Sequence, residues 1–272
     1  MALSLCCSRW RRCWLDLAVS LGNVLSAGYA VPADKAVGFI TGADQVLYKA
    51  LKAEAFEVQV GIHELLGHGS GKLFHAGTDA AAALLNTPCP LEGAAGKLIN
   101  GPFYAAGATW DSTFGKIASS YEECRAECTG LYLCNVPEVL AVFGHHGSGS
   151  DGGGGAAAGM QMHDVAYINW LLMCRAGLVG LEFYTPSTGS WRQAHMQARY
   201  VIVRVLLEAG HGLLTLRQCT NTEDGQPDVE VVLNRALIPT VGRDAIGSFL
   251  KVRACGKCTF SCRAHTEHPR AV

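Results

Sequence analysis

Two histidines five residues apart, His63 and His68 in the segment VGIHELLGHGSG, constrain this chain more than any other feature. The segment is apolar up to His63 and ends in Gly67, Gly69, Ser70 and Gly71, the pattern of a helix reaching its end. At about 100° per residue, side chains four apart on a regular helix diverge by about 40°, and two imidazoles so placed can reach one metal ion. At a spacing of five the divergence grows to about 140°. Both rings can then share an ion only if the helix loosens into a π-like turn, a distortion that Gly67 tolerates. The spacing therefore predicts a single widened turn between Glu64 and His68, and a regular α-helix there would count against a metal site.

The segment resembles the zinc-binding pattern His-Glu-x-x-His with one residue added, in which the Glu faces the attacking water. By itself such a pattern can be a coincidence. A catalytic zinc also needs a third protein ligand and an open fourth position. The run SSYEECRAEC answers this with Glu122, Glu123 and Glu127 crowded on one predicted helix, Glu123 and Glu127 on the same face and Arg125 nearby. Taken alone, that run reads equally well as the charged stripe of a solvated helix.

As a pair, HELLGH and EECRAE resemble the dipeptidyl peptidase III family of zinc metallopeptidases, and the similarity runs over residues 21–250 through ATWDS, ASSYEECRAE, LEFYTP and WRQAHMQAR. The resemblance covers the catalytic-lobe portion of the family's longer chain. It implies one catalytic Zn2+ held by His63, His68 and Glu123, with Glu64 as the general base acting on the attacking water. It also implies that Glu122 and Glu127 accept the far N–H of the ligating imidazoles, which fixes their tautomers. His195 in WRQAHMQAR matches a family position that stabilises the transition state. Arg199, one turn further on the same face, is a candidate contact to the oxyanion or the substrate. His145, His146, His163 and His211 carry no comparable motif and read as surface or core residues.

The implied partners are oligopeptides, and the implied reaction releases dipeptides from their N-termini; nothing in the local motifs counts residues from a free amine. The family further implies a lobe preceding the metal-binding one, which helps to hold the substrate's amino terminus and is missing here. The alternative reading is thus a truncated, catalytically weak or inactive remnant that binds zinc or a peptide.

Charge excludes one class of partner. With 22 basic against 23 acidic residues the formal net charge is -1, which gives no field to attract nucleic acid or acidic lipid. Arg9, Arg11 and Arg12 precede an apolar stretch at 13–25 that superficially resembles a signal peptide, but Asp16, Asn23 and Ser26 dilute it. The apolar stretch 165–184 contains Arg175 and Glu182 and reads as a buried helix, so no membrane anchor is expected. Twelve cysteines without framework spacing predict reduced thiols and a cytoplasmic setting.

The fold expected is mainly α: a helical zinc-binding catalytic lobe with a small β-hairpin. Helices are predicted at 55–66, 114–133, 162–183, 190–209 and 243–252, and hairpin strands at 213–219 and 229–233 across a loop holding Asp224, Gly225 and Pro227. Residues 1–18 form a divergent N-terminal segment, 19–252 the lobe, and 147–159 a flexible Gly-rich insertion within it. The divergent tail 253–272 carries Cys255, Cys258, Cys262 and His265, whose spacing leaves metal binding open.

Overall fold

Helix α1 (Gln45–Ile62) starts after Asp44, whose carboxylate accepts hydrogen bonds from Thr41 Oγ1 at 2.7 Å and from the Tyr167 hydroxyl at 3.0 Å. It buries Tyr48, Ala55, Phe56, Val58 and Ile62 on one side and runs without a break into a π-helical turn, His63–His68. The computed structural model describes residues 35–69, 75–84, 104–146, 156–221 and 224–254.

Short helices α2 (Asp79–Leu84) and α3 (Trp110–Phe114) follow, the latter opened by a capping box in which Thr109 and Ser112 satisfy each other's backbone N–H. The helix predicted at 114–133 begins only at Ala118, as α4 (Ala118–Leu133). Gly115 has φ +53°, a conformation that interrupts an α-helix, and the chain passes through a 3-10 turn at Gly115–Ile117 first. Helix α5 (Pro137–Val142) precedes α6 (Ala156–Val179), the centre of the molecule.

On α6 the side chains of Ile168, Trp170, Leu171 and Met173 are all fully buried, so no single face is apolar. Such a helix belongs inside a fold. The stretch Met162–Phe183 is long and apolar enough to cross a membrane, but 72% of its most apolar window is buried inside the protein, against α1 on one side. Truncating Trp170 to Ala would cost about 3–5 kcal/mol at such a site.

A 3-10 turn (Gly180–Phe183) leads to strand β1 (Tyr184–Thr185), which pairs antiparallel with β2 (Ser190–Trp191). This corrects the prediction of helix from 190. Gly189 at φ +61° closes the turn, and helix α7 (Ala194–Glu208) begins where Gln193 accepts a hydrogen bond from the Met196 N–H. α7 also packs against α6. The hairpin is present as β3 (Leu214–Thr220) and β4 (Pro227–Leu233), in register from Leu214↔Leu233 to Thr220↔Pro227, with Leu214, Val231 and Leu233 turned into the core. A 3-10 turn and a second π turn (Ile238–Gly242) then deliver α8 (Arg243–Ala254).

The architecture is mainly helical, as expected, and among the described residues the predicted hairpin is joined by a second small antiparallel strand pair, β1–β2. Of the Gly-rich insertion predicted at 147–159, residues 156–159 are the first turn of α6, and the rest lies outside the described residues. The N-terminal segment 1–18, the signal-like stretch and the cysteines and histidine of the tail also lie outside them. Cys124, Cys128, Cys134, Cys174 and Cys219 are not joined in disulfides.

Candidate metal centre

Helix α4 packs against the π turn, α1 and α7, and these four elements carry every residue singled out for the site. The turn His63–His68 is widened as the five-residue spacing requires. Gly67, however, owes its place to proximity: its φ lies outside the left-handed region, and a Cβ there would stand 2.7 Å from Ala126 Cα and 2.8 Å from Ala126 Cβ. The missing side chain lets the turn touch the α4 backbone, which brings His63 and His68 to Glu123.

Glu123 Oε2 lies 3.2 Å from His63 Nε2, 3.4 Å from His68 Nε2 and 3.2 Å from His195 Nδ1. Bonds of about 2.0–2.1 Å at tetrahedral angles put ligand atoms about 3.3–3.4 Å apart, so the spacings to the two motif histidines fit a shared zinc-sized ion. His63 Nε2 and Glu123 Oε2 are both buried and, among the described residues, neither has an aligned hydrogen-bond partner. Buried polar atoms left facing each other in this way are costly, and a cation between them removes the cost. Two metal-capable clusters share His63: one joins it to Glu64 and His68, the other to Glu123 and His195, each with ligand atoms within 4.8 Å of one another.

The outer nitrogens are also occupied. His68 Nδ1 is 3.0 Å from Glu122 Oε1, and His63 Nδ1 is 3.4 Å from Glu127 Oε2. Arg125 binds Glu122 through Nε at 3.0 Å and Nη2 at 2.5 Å. Arg199 Nε donates to Glu127 Oε1 at 2.7 Å, so its guanidinium is engaged with a buried carboxylate.

Burial opposes charge on Glu122, Glu123, Glu127, His63 and His195, and ion pairing overrides it on all of these but His195. Glu127 is held down at about 2 by Arg199, His63 and Gln59 despite its burial. Glu122 is lowered by Arg125 and His68, and Glu123 by the three histidines, again against burial. Without metal, His63 is raised to about 9: burial favours its neutral form, but Glu123 and Glu127 outweigh it. His195 goes the other way, since burial outweighs the attraction of Glu123 and Glu127.

All eight residues singled out in the sequence thus meet in one place. His145, His146, His163 and His211 belong to neither metal-capable cluster found among the described residues. Gln59 was missed: it donates to the Glu127 carboxylate at 2.7 Å from a buried position on α1. A polar residue on the buried face of α1, one turn before His63, was the available signal.

Residues 17–268 match the model of Peptidase family M49. The chain is 51% identical over 238 residues to Dipeptidyl peptidase 3 of Nematostella vectensis, covering 86% of this chain and 30% of that protein. It is 50% identical over 233 residues to Dipeptidyl peptidase 3 of Homo sapiens, covering 86% and 29%, and 42% identical over 242 residues to that of Dictyostelium discoideum, covering 85% and 31%. The chain therefore spans about 30% of the length of the curated relatives it matches. The solved structure of DPP III from Caldithrix abyssi superposes with a TM-score of 0.51 at 17% identity, over 90% of this chain and 35% of that one, a likeness of fold.

Proposed function

The chain belongs to Peptidase family M49, and from that premise we propose that it is the metal-binding catalytic lobe, residues 19–252, of a zinc-dependent dipeptidyl peptidase that acts on oligopeptides in the cytoplasm. The observation that carries the proposal is the convergence of His63 Nε2 and His68 Nε2 on Glu123 Oε2 at 3.2 and 3.4 Å. These three residues would hold the ion. Bound there, zinc supplies Lewis acidity toward the scissile carbonyl and lowers the pKa of water toward about 7.

The protein's own groups do the rest. Glu64 takes the proton of the attacking water and hands it to the leaving amine. Glu127 and Glu122 accept the Nδ1–H of His63 and His68, which leaves the Nε2 lone pairs directed at the ion. His195, beside Glu123, donates to the oxygen on which charge develops. Arg199 keeps Glu127 ionised, and any contact it makes with the substrate comes from donors other than its Nε.

A near-neutral surface, with a net charge of -1, suits peptides over nucleic acid or membrane. The second reading is a remnant that holds zinc or a peptide without turnover, favoured by the coverage of about 30% of the relatives' length. Zinc per chain, measured beside Glu123→Ala, tests the site: one tightly held ion is expected in the parent and a weakened or lost one in the variant. Peptide hydrolysis beside Glu64→Ala then separates the readings. Turnover lost in the variant with zinc retained supports the peptidase, turnover retained in it sinks the role of Glu64, and a zinc-loaded parent that is inactive supports the remnant.

A further inference from the structure

Gln59 sits one helical turn before His63 on α1, and only 2% of its surface is exposed. Its Nε2 donates twice to one residue, to Glu127 Oε2 at 2.7 Å and to the Glu127 carbonyl at 3.0 Å. That same Oε2 stands 3.4 Å from His63 Nδ1, while Arg199 Nε holds the other oxygen, Oε1, at 2.7 Å. Position 130, three residues further along α4, is a glycine for a local reason. A Cβ there would lie 2.4 Å from Gln59 Nε2 and 2.5 Å from Gln59 Oε1, so the amide occupies the space of a side chain at 130.

A carboxylate tied at one oxygen can still turn about its last torsion, which is broad and roughly two-fold for Glu. Arg199 alone leaves that freedom. The second tether, from an amide also fixed to the backbone carbonyl of the same residue, removes it. Gln59 Oε1 makes no conventional hydrogen bond among the described residues and lies, like Nε2, against the space that a Cβ at 130 would fill. The amide cannot flip without turning an acceptor onto two acceptors of Glu127.

We propose that Gln59, seated by Gly130, is a positioning residue for the metal: it locks the Glu127 carboxylate so that His63 keeps its proton on Nδ1 and offers its Nε2 lone pair to the ion. The inference rests on the metal-centre reading and extends it one residue further from the ion. A partner of a ligating histidine typically carries about 10 to 100-fold in affinity, and Gln59 acts on such a partner, so an effect of about 10-fold is expected.

The test compares zinc affinity, by competition with a chromophoric chelator, in the full chain and in Gln59→Met and Gly130→Ala. The first removes the donor at similar volume, and the second displaces the amide from the opposite helix. Both should weaken zinc about 10-fold. In the zinc-loaded protein the downfield His63 Nδ1–H proton should also exchange faster with water, which loosened packing away from Glu127 would not produce. Affinities within twofold of the parent with an unchanged His63 signal would overturn the proposal. Should either variant fail to fold, the parent decides: zinc loading must shift the Gln59 side-chain amide resonances, and an unmoved signal overturns it. A parent that holds no zinc ends the metal-centre reading and this inference together, whereas zinc held equally by parent and variants ends only the inference.

Discussion

Gly67 and Ala126 touch so closely that a Cβ on the glycine would stand 2.7 Å from the alanine's Cα. This contact fixes the depth at which the widened turn meets α4, and through it the distance from both motif histidines to Glu123. Gly67→Ala must push the two elements apart. Overpacking of this kind costs about 1–3 kcal/mol. The expected outcome is a lower urea midpoint together with zinc binding weakened by more than about 10-fold, the scale at which disturbing a ligand's support is felt; unchanged zinc affinity would mean that the turn has slack.

Arg199 is the counter-charge of a carboxylate that is 2% exposed at its side chain. Removing one member of a buried pair leaves the other uncompensated, at a cost of about 3–5 kcal/mol. Arg199→Met should therefore lower stability by about that amount in urea unfolding, whether or not substrate is present. A loss below about 1 kcal/mol, the range of an exposed pair, would show that Glu127 finds another cation.

Stability of the metal-free protein should depend on pH at both ends. Glu127 is depressed from 4.5 to about 2, so its contribution is complete above 4.5 and is lost as pH falls toward 2. His63 is raised from 6.5 to about 9, so its contribution is complete below 6.5 and is lost as pH rises toward 9. Melting of the chelator-treated protein should thus be highest between those inner limits. Zinc competes with the proton for His63 and should lift the alkaline side selectively. A flat profile from pH 6.5 to 9 without metal would contradict the pairing of His63 with Glu123 and Glu127.

Thiol chemistry gives a check on the packing of the core. Burial pushes the Cys134 and Cys174 thiols up to about 12, and the thiolate is the reactive form. Cys124 and Cys128 are buried as well, whereas Cys219 on β3 is partly exposed. Brief alkylation at pH 8, mapped by peptide mass spectrometry, should label Cys219 and spare the other four. Rapid labelling of Cys174 would mean that the α6 core opens.

What the chain's order alone determined is local. A five-residue interval between two histidines that are to share one ion has one helical solution, a widened turn, because the geometry of a single turn sets the angle between its side chains. The Glu123 and Glu127 face and most helix spans were legible for the same reason, since the 3.6-residue period is written into each segment. The first helix starts at Gln45, ten residues before the predicted 55, and at 114 and 190 single glycines with positive φ redirected the backbone.

The meeting of α1, α4 and α7 was decided by tertiary structure. Periodicity identifies a face that must be covered and is silent on what covers it; here glycines at 67 and 130 admit the close approaches that select α4 as the partner. For the same reason the sequence marks Arg199 as a candidate contact to the oxyanion or the substrate, and only the fold sets its guanidinium against Glu127, 72 residues earlier in the chain. Gln59 is not singled out by the sequence, because its meaning lies in a carboxylate on another helix and in the absence of a side chain at 130.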